Sequence, residues 1–385
     1  MTGQSTSAAP RMLILARESR GLKQDDVAKA MKALDGPTSK VSQAYVSRAE
    51  SGRLAVTGER LELYARALAY PVDLLVMSET EVGAGPGLVH HRKKQAAAAP
   101  DLRRIHAVLN LSRIQLRGLL DGAPRRVDLS LPRLEVDDYF TGADAARKVR
   151  ADWGLPSGPL GSVIGVVEST GGLVLRRALV APVPLDSGNE SVPVDAVSVC
   201  TPGEDPLVLL NDGTPGDRDR FTTAHELGHM VMHTLPHPQQ EKQANQFAAE
   251  FLMPAEDIRR DFAGTVDLRC LLELKAQWGV SMWALLRRAH TLGELSDWQY
   301  RTLAVEMTSL GYRTSEPGRL NPEQPSAVRS VIDQYLGEGH EVDDLARRAR
   351  LEPAEFTTLY LGDRSSAATG ESEHPVPASA VEVSI

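Results

Sequence analysis

The chain has 385 residues, a hydrophobic content of 42% and a formal net charge of -8. This leaves room for two or three globular domains and argues against a uniformly basic coat for nucleic acid. No apolar run approaches the roughly 18 residues of a membrane-crossing helix. The charge is uneven: residues 1–80 carry 11 Lys and Arg against 9 Asp and Glu, and residues 90–135 carry 10 against 4, so a polyanion should meet the N-terminal third. Cys200 and Cys270 lie far apart in no CxxC pattern, and Met1–Pro10 has no apolar signal core, which together predict a reducing, cytoplasmic setting.

After a disordered lead over residues 1–10, apolar residues recur at helical spacing from Arg11 and break at Gly21. A second helix is expected over Gln24–Met31, and a third, capped by Ser42, runs through Glu50 and closes at Ser51-Gly52. A fourth covers Gly58–Ala69. Short helices with a marked turn before a polar helix suggest a helix-turn-helix over residues 11–76, its third helix in the major groove of operator DNA. The exposed face of that helix offers Gln43, Tyr45 and Arg48, with Ser47 between them.

Gly21-Leu22-Lys23-Gln24, Val27-Ala28, Val46 to Gly52 and Leu61-Leu63-Ala65-Leu68 resemble the XRE/Cro-type repressor family. The resemblance implies a phosphate contact from Gln24, base contacts around Gln43 and a homodimer on two half-sites. The turn between the second and third helices is several residues longer than the family pattern.

Residues 77–135 read as a basic helical linker, with a flexible break at Gly83–Gly87 and a solvated helix over Leu102–Leu120. A helix from Asp144 to Trp153, another over Leu160–Thr170, and three apolar runs at Leu173–Leu175, Ala196–Val199 and Leu207–Leu210 follow. The order is α+β, not doubly wound: an all-α N-terminal domain, a central domain over residues 136–292 with a small sheet and metal-binding helices, and a helical region over residues 293–362. Leu271–His290 reads as packing helices. Residues 363–385, rich in Ser, Ala, Pro and Glu, read as a disordered tail.

The central domain contains His225-Glu226-x-x-His229 on a helix-compatible segment. Residues four apart lie on one helical face, so both imidazoles can reach one zinc ion, with Glu226 placed to take a proton from water. A hydrolytic zinc site needs a third protein ligand. Met232 and Leu235 exclude the metzincin pattern, which requires Gly and His there. On the next helix, Glu241 lies about 50° from the apolar stripe and Glu250 about 130° away, so Glu241 can point inward while Glu250 is expected to face water. Asn245, one turn after Glu241, can hydrogen-bond a ligand. Arg218, Arg220 and His233 are the candidates for stabilising an oxyanion, and His233 and His237 are alternative ligands. The run Leu207–Leu210 is expected to be an edge strand that supports an extended peptide.

Arg220–His229 together with Glu241–Pro254 resembles the ImmA/IrrE metallopeptidases, with further likeness at Trp153-Gly154-Leu155-Pro156 and Leu207–Asn211. The resemblance implies zinc on His225, His229 and Glu241, Glu226 as general base in the gluzincin manner, and a repressor-like protein substrate. The alternatives are a non-proteolytic ligand-sensing transcription factor whose zinc site is structural or vestigial, and a toxin–antitoxin component.

Overall fold

A computed structural model of the chain describes residues 6–78, 89–91, 99–123, 127–179, 194–201, 203–235 and 237–362. The expected tail at 363–385, the first five residues of the expected lead, the break Gly83–Gly87 and the run Arg92-Lys93-Lys94 lie outside the described residues. Residues 7–9 of that lead are not loose: Ser7 bridges Thr57, and the N–H groups of Ala8 and Ala9 donate to the carbonyls of Val56 and Leu75.

Five helices open the chain: α1 (Pro10–Ser19), α2 (Gln24–Asp35), α3 (Gln43–Glu50), α4 (Gly58–Leu68) and the short α5 (Val72–Leu75). After β1 (Val89–His91) comes the long α6 (Ala99–Leu120). The central part holds α7 (Gly142–Asp152), α8 (Val163–Ser169), β2 (Leu173–Arg177), β3 (Ala196–Val199), β4 (Leu207–Asn211), α9 (Gly216–Met232), α10 (Gln240–Leu252), α11 (Ala255–Asp261), α12 (Leu268–Trp278) and α13 (Met282–Thr291). α14 (Asp297–Ser309), α15 (Ala327–Gly337), α16 (Val342–Arg348), α17 (Pro353–Phe356) and a π-helical turn at Thr357–Leu361 complete it.

The strands form one mixed sheet in the order β1-β3-β4-β2, with β2 parallel to β4 and the other pairs antiparallel. β4 is therefore interior, not the expected edge. Its unbroken Leu-Val-Leu-Leu run is what a strand covered on both faces requires. The edge beside β3 carries β1, with Val89, His90 and His91 opposite Val199, Ser198 and Val197.

Alternation along the strands divides the molecule into two cores. Leu173, Leu175, Val197, Val199, Leu207 and Leu209 face the core formed by α1–α6 and α15–α17. Val174, Ala196, Val208 and Leu210 face α7–α14.

α6 departs most from expectation. It is not a solvated linker: Ile105, Leu109, Leu116 and Leu119 are buried in the first core, against α1. Three of its arginines stand in ion pairs, Arg113 and Arg117 with Glu204 and Arg103 with Glu18, and Arg104 donates to the Ala178 carbonyl. At Gly118 an added Cβ would lie 2.1 Å from the Arg348 carbonyl oxygen, so α16 approaches α6 at backbone distance. Arg20 bridges α1 to α17, donating to both carboxylate oxygens of Glu355 at 2.6 and 2.7 Å.

Carboxylates at helix N-termini fasten the C-terminal helices to the central part, where N–H groups otherwise lack acceptors. Glu323 accepts from the Val163 and Ile164 N–H groups, Glu316 from Met282 and Trp283, and Glu168 from Ser326 and Ala327. Among the described residues, no helix is long and apolar enough to cross a membrane.

Candidate metal centre and nucleic-acid interface

α9 runs between the sheet and α10 and is buried along nearly its whole length. A surface helix hides one stripe; this one also hides His225, Glu226 and His229, each at 0% exposure. Polar groups so deeply placed need partners, and theirs come from neighbouring elements. Gly228 lets α10 close in, since a Cβ there would stand 3.1 Å from the Phe247 ring. Likewise Gly142 brings α7 against the Gln243 carbonyl.

The Nε2 atoms of His225 and His229 converge to 3.0 Å. Glu241, in the first turn of α10, places Oε2 at 3.4 Å from His225 Nε2 and Oε1 at 3.4 Å from His229 Nε2. The ligand atoms of these three residues all lie within 4.8 Å of one another. Two imidazole nitrogens and one carboxylate oxygen at this spacing fit a divalent cation such as zinc. Glu241 is partly buried, which pushes its pKa up, but the two imidazoles outweigh this and hold the carboxyl well below its ordinary range. Its side chain is 41% exposed, so the cluster opens to solvent on the α10 side.

Each histidine is held from behind. His225 Nδ1 meets Asn245 Oδ1 at 3.2 Å, and Asn245 Nδ2 donates to the Glu241 backbone carbonyl at 2.7 Å. His229 Nδ1 meets His233 Nδ1 at 3.0 Å, and His233 Nε2 meets Gln243 Oε1 at 3.0 Å. Burial lowers the His233 pKa to about 4, so it is neutral at ordinary pH.

Glu226 lies against the sheet, where the Ser198 hydroxyl of β3 donates to its Oε2. Ser198 was not among the residues expected from the sequence. Its one signal is a hydroxyl within Ala-Val-Ser-Val, on the strand face that otherwise packs apolar side chains against α9.

Several expected roles change. Glu250 does not face water: it is 2% exposed and paired with Arg288 and, at 3.2 Å, with Arg147, because α7 and α13 cover that side of α10. Arg220 donates to the carbonyls of Leu160 and Gly161 and to Glu323, and Arg218 pairs with Asp195 at 2.8 Å. His233 stands behind the His229 ring. All three oxyanion candidates are thus engaged by other partners. His237 lies in the exposed turn before α10, where its Nδ1 accepts from the Gln239 N–H.

In the N-terminal helices, a buried carboxylate links α1, α2 and α3. Glu50 receives Arg17 through both oxygens, at 2.6 and 3.0 Å, and the Gln24 amide at 2.9 Å. Gln24 Oε1 in turn accepts from Gln43 Nε2 at 2.8 Å. Because Glu50 can only accept, each amide orientation follows from the last, and the Gln43 carbonyl oxygen is the next acceptor in the series. Ser42 caps α3 by accepting from the Tyr45 N–H at 3.3 Å. α2 runs to Asp35, which absorbs part of the long turn, and the remaining residues 36–42 still bring Gln43 against Gln24. Gln43 and Arg48 are exposed and Ser47 half-buried, while Tyr45 is half-buried against the first core, not fully presented.

Two family models match stretches of this sequence. Residues 13–75 match the helix-turn-helix model, and residues 190–290 match the peptidase-family model described as IrrE N-terminal-like domain. The second span covers β3, β4 and α9–α13, and so includes His225, Glu226, His229 and Glu241; α7 lies upstream of it. No curated protein matches the chain.

Proposed function

We propose that this chain, an XRE-type helix-turn-helix domain joined to an IrrE N-terminal-like metallopeptidase domain, is a DNA-bound regulator whose central domain is a zinc endopeptidase. One observation carries the reading: His225, His229 and Glu241 converge as ligands while Glu226, one residue along from the first, carries the only carboxylate of the motif. His225, His229 and Glu241 would hold the ion, which supplies electrophilic activation of a peptide carbonyl and of water. Glu226 serves as the general base, taking a proton from water and passing it to the leaving amine. Ser198 fixes the orientation of that carboxylate. The substrate is an XRE-type repressor, a partner protein or the chain's own N-terminal domain, and attachment to a DNA-binding domain raises the local concentration of peptidase near DNA-bound repressors.

The test is incubation of the parent and Glu226→Gln with zinc and an XRE-type repressor, cleavage being mapped by mass spectrometry. The expected result is cutting by the parent alone, with zinc retained by both; equal cutting by both removes Glu226 from its role as base.

A second reading, a non-proteolytic regulator with a structural metal, draws on the complete burial of Glu226. It predicts no cleavage, and DNA binding that changes when zinc is added or chelated.

A further inference from the structure

A guanidinium keeps its charge when buried, so its surroundings must supply acceptors for its N–H groups. Arg150 and Arg177 are 7% and 5% exposed, and among the described residues no carboxylate pairs with either. Arg150 is nonetheless satisfied. Its Nη1 donates to the Phe251 carbonyl at 2.7 Å and its Nη2 to the carbonyls of Pro156 and Gly158.

Arg177, at the end of β2, is not. Its acceptors both fall on Nη1, the Arg176 carbonyl at 2.8 Å and the Leu359 carbonyl at 3.5 Å. Nη2 is buried with no hydrogen-bond partner. The guanidinium lies 4.7 Å over the Tyr360 ring, whose hydroxyl donates to Gln115. Asp212 gives its N–H to the Arg177 carbonyl, but its exposed carboxylate forms no ion pair with the guanidinium.

Arg177 lines a cavity of about 260 Å³ beside β2, the strand at one end of the sheet. Its other walls come from the start of α15 and from the π-helical turn. Among the described residues, three arginines and no acid line it: Arg176, Arg177 and Arg329. Arg176 is committed to Asp219 at 2.7 Å, and Arg329 pairs with Asp333 one turn along α15. The rest of the wall is largely apolar, with Val174, Val328 and Leu361.

The π-helical turn has a part in this. Such turns are rare and frequent at functional sites. Here Thr357–Leu361 offers the Leu359 carbonyl to Arg177 and the Leu361 carbonyl to Arg329, the latter at 2.9 Å. Neutral acceptors hold both arginines in place without cancelling their charge.

We propose that this cavity binds a small organic carboxylate, its oxygens taken by Arg177 Nη2 and Arg329 and its apolar body by Val174, Val328 and Leu361. A phosphate dianion would need more donors than these two groups offer, and the walls reward an apolar body instead. None of these residues belongs to the metal centre, so the site stands whether or not the central domain cuts.

The test is calorimetric titration of the full-length protein with acetate, butanoate and hexanoate. Hexanamide serves as the uncharged counterpart of hexanoate, and inorganic phosphate as an anion without an apolar body. Affinity should rise with chain length, by up to about fourfold per methylene. Hexanamide and phosphate should give no saturable heat in the same millimolar range. Arg177→Met keeps the length of the side chain and removes its charge, and should weaken hexanoate binding about 10–100-fold. Should that variant not fold, Arg329→Gln, altering a partly exposed side chain, should weaken it about tenfold. Hydrogen exchange should show hexanoate protecting Leu173–Arg177 and Thr357–Leu361 above the rest of the chain. The proposal is overturned if hexanoate does not saturate the parent, or if hexanamide or phosphate binds as well. Parental affinity in the folded variant, or protection confined to other segments, overturns it equally.

Discussion

The Ser198 hydroxyl donates to the Glu226 carboxylate across the contact between β3 and α9, and both side chains are at 0% exposure. A buried carboxylate that loses a donor pays its desolvation in full, about 1–3 kcal/mol. Ser198→Ala should therefore lower folding stability by that amount in urea titrations. If Glu226 is the base as proposed, it should also lower turnover at saturating substrate while leaving zinc affinity close to the parental value, since Ser198 meets Glu226. A variant that loses zinc first would place Ser198 among the residues shaping the ligand set.

Gly118 sets two effects against each other. In a helix interior Gly→Ala ordinarily stabilises by about 1 kcal/mol. Here the new Cβ would stand 2.1 Å from the Arg348 carbonyl oxygen, a backbone atom that cannot swing aside. Overpacking costs about 1–3 kcal/mol, so the sign reverses and Gly118→Ala should destabilise by about 2 kcal/mol. Thermal melts beside an exposed control such as Gly337→Ala, which meets nothing within 4 Å, separate the two effects.

Acid should loosen α7 through its cap. Asp144 closes a capping box with Thr141, and hydrogen bonds from the Thr141 hydroxyl and N–H, with Arg147 beside it, lower its pKa to about 2. A folded-state pKa below the unfolded one gives stability that is present above about pH 4 and lost as pH falls toward 2. Thr141→Val removes the hydroxyl, so an NMR titration should find the Asp144 pKa moved back toward the ordinary carboxylate value. The pH dependence of stability below pH 4 should flatten with it.

Metal removal offers a binding test that needs no substrate. An ion held only by the folded protein stabilises it by about 2.7 kcal/mol at 100 times its dissociation constant. Zinc should raise the melting temperature of the parent and of Glu226→Gln, and a chelator should reverse the shift. Glu241→Gln should show little response in calorimetry, because one of the three converging ligand groups has lost its charge. A full response from Glu241→Gln would move the third ligand elsewhere.

The convergence of His225, His229 and Glu241 was legible because helical phase is a local property: four residues separate His225 from His229, and Glu241 sits on the flank of its own apolar stripe. The same phase argument misjudged Glu250, since what covers the far side of α10 is Arg147 and Arg288, from helices whose placement no local pattern encodes. α6 was misread for a related reason. A helix rich in arginine looks solvated until its counterions are known, and Glu204 is 87 residues from Arg117. β4 looked like an edge because strand neighbours are a matter of topology. Its apolar run already matched an interior strand. β1 is three residues long beside a glycine-rich stretch, too short for any periodicity to mark it.

The sheet between the two cores has a consequence for which changes in chain length the protein can absorb. Val174 and Val208 serve one core and Leu173, Leu175, Leu207 and Leu209 the other. A point substitution on a strand is thus felt mainly on one side. A single inserted or deleted residue within β2 or β4 would exchange the two sets of side chains and misfit both halves together. The helix-turn-helix and the helix that carries His225 and His229 are in this sense read in one frame, and a shift of one residue in the strands should unsettle both.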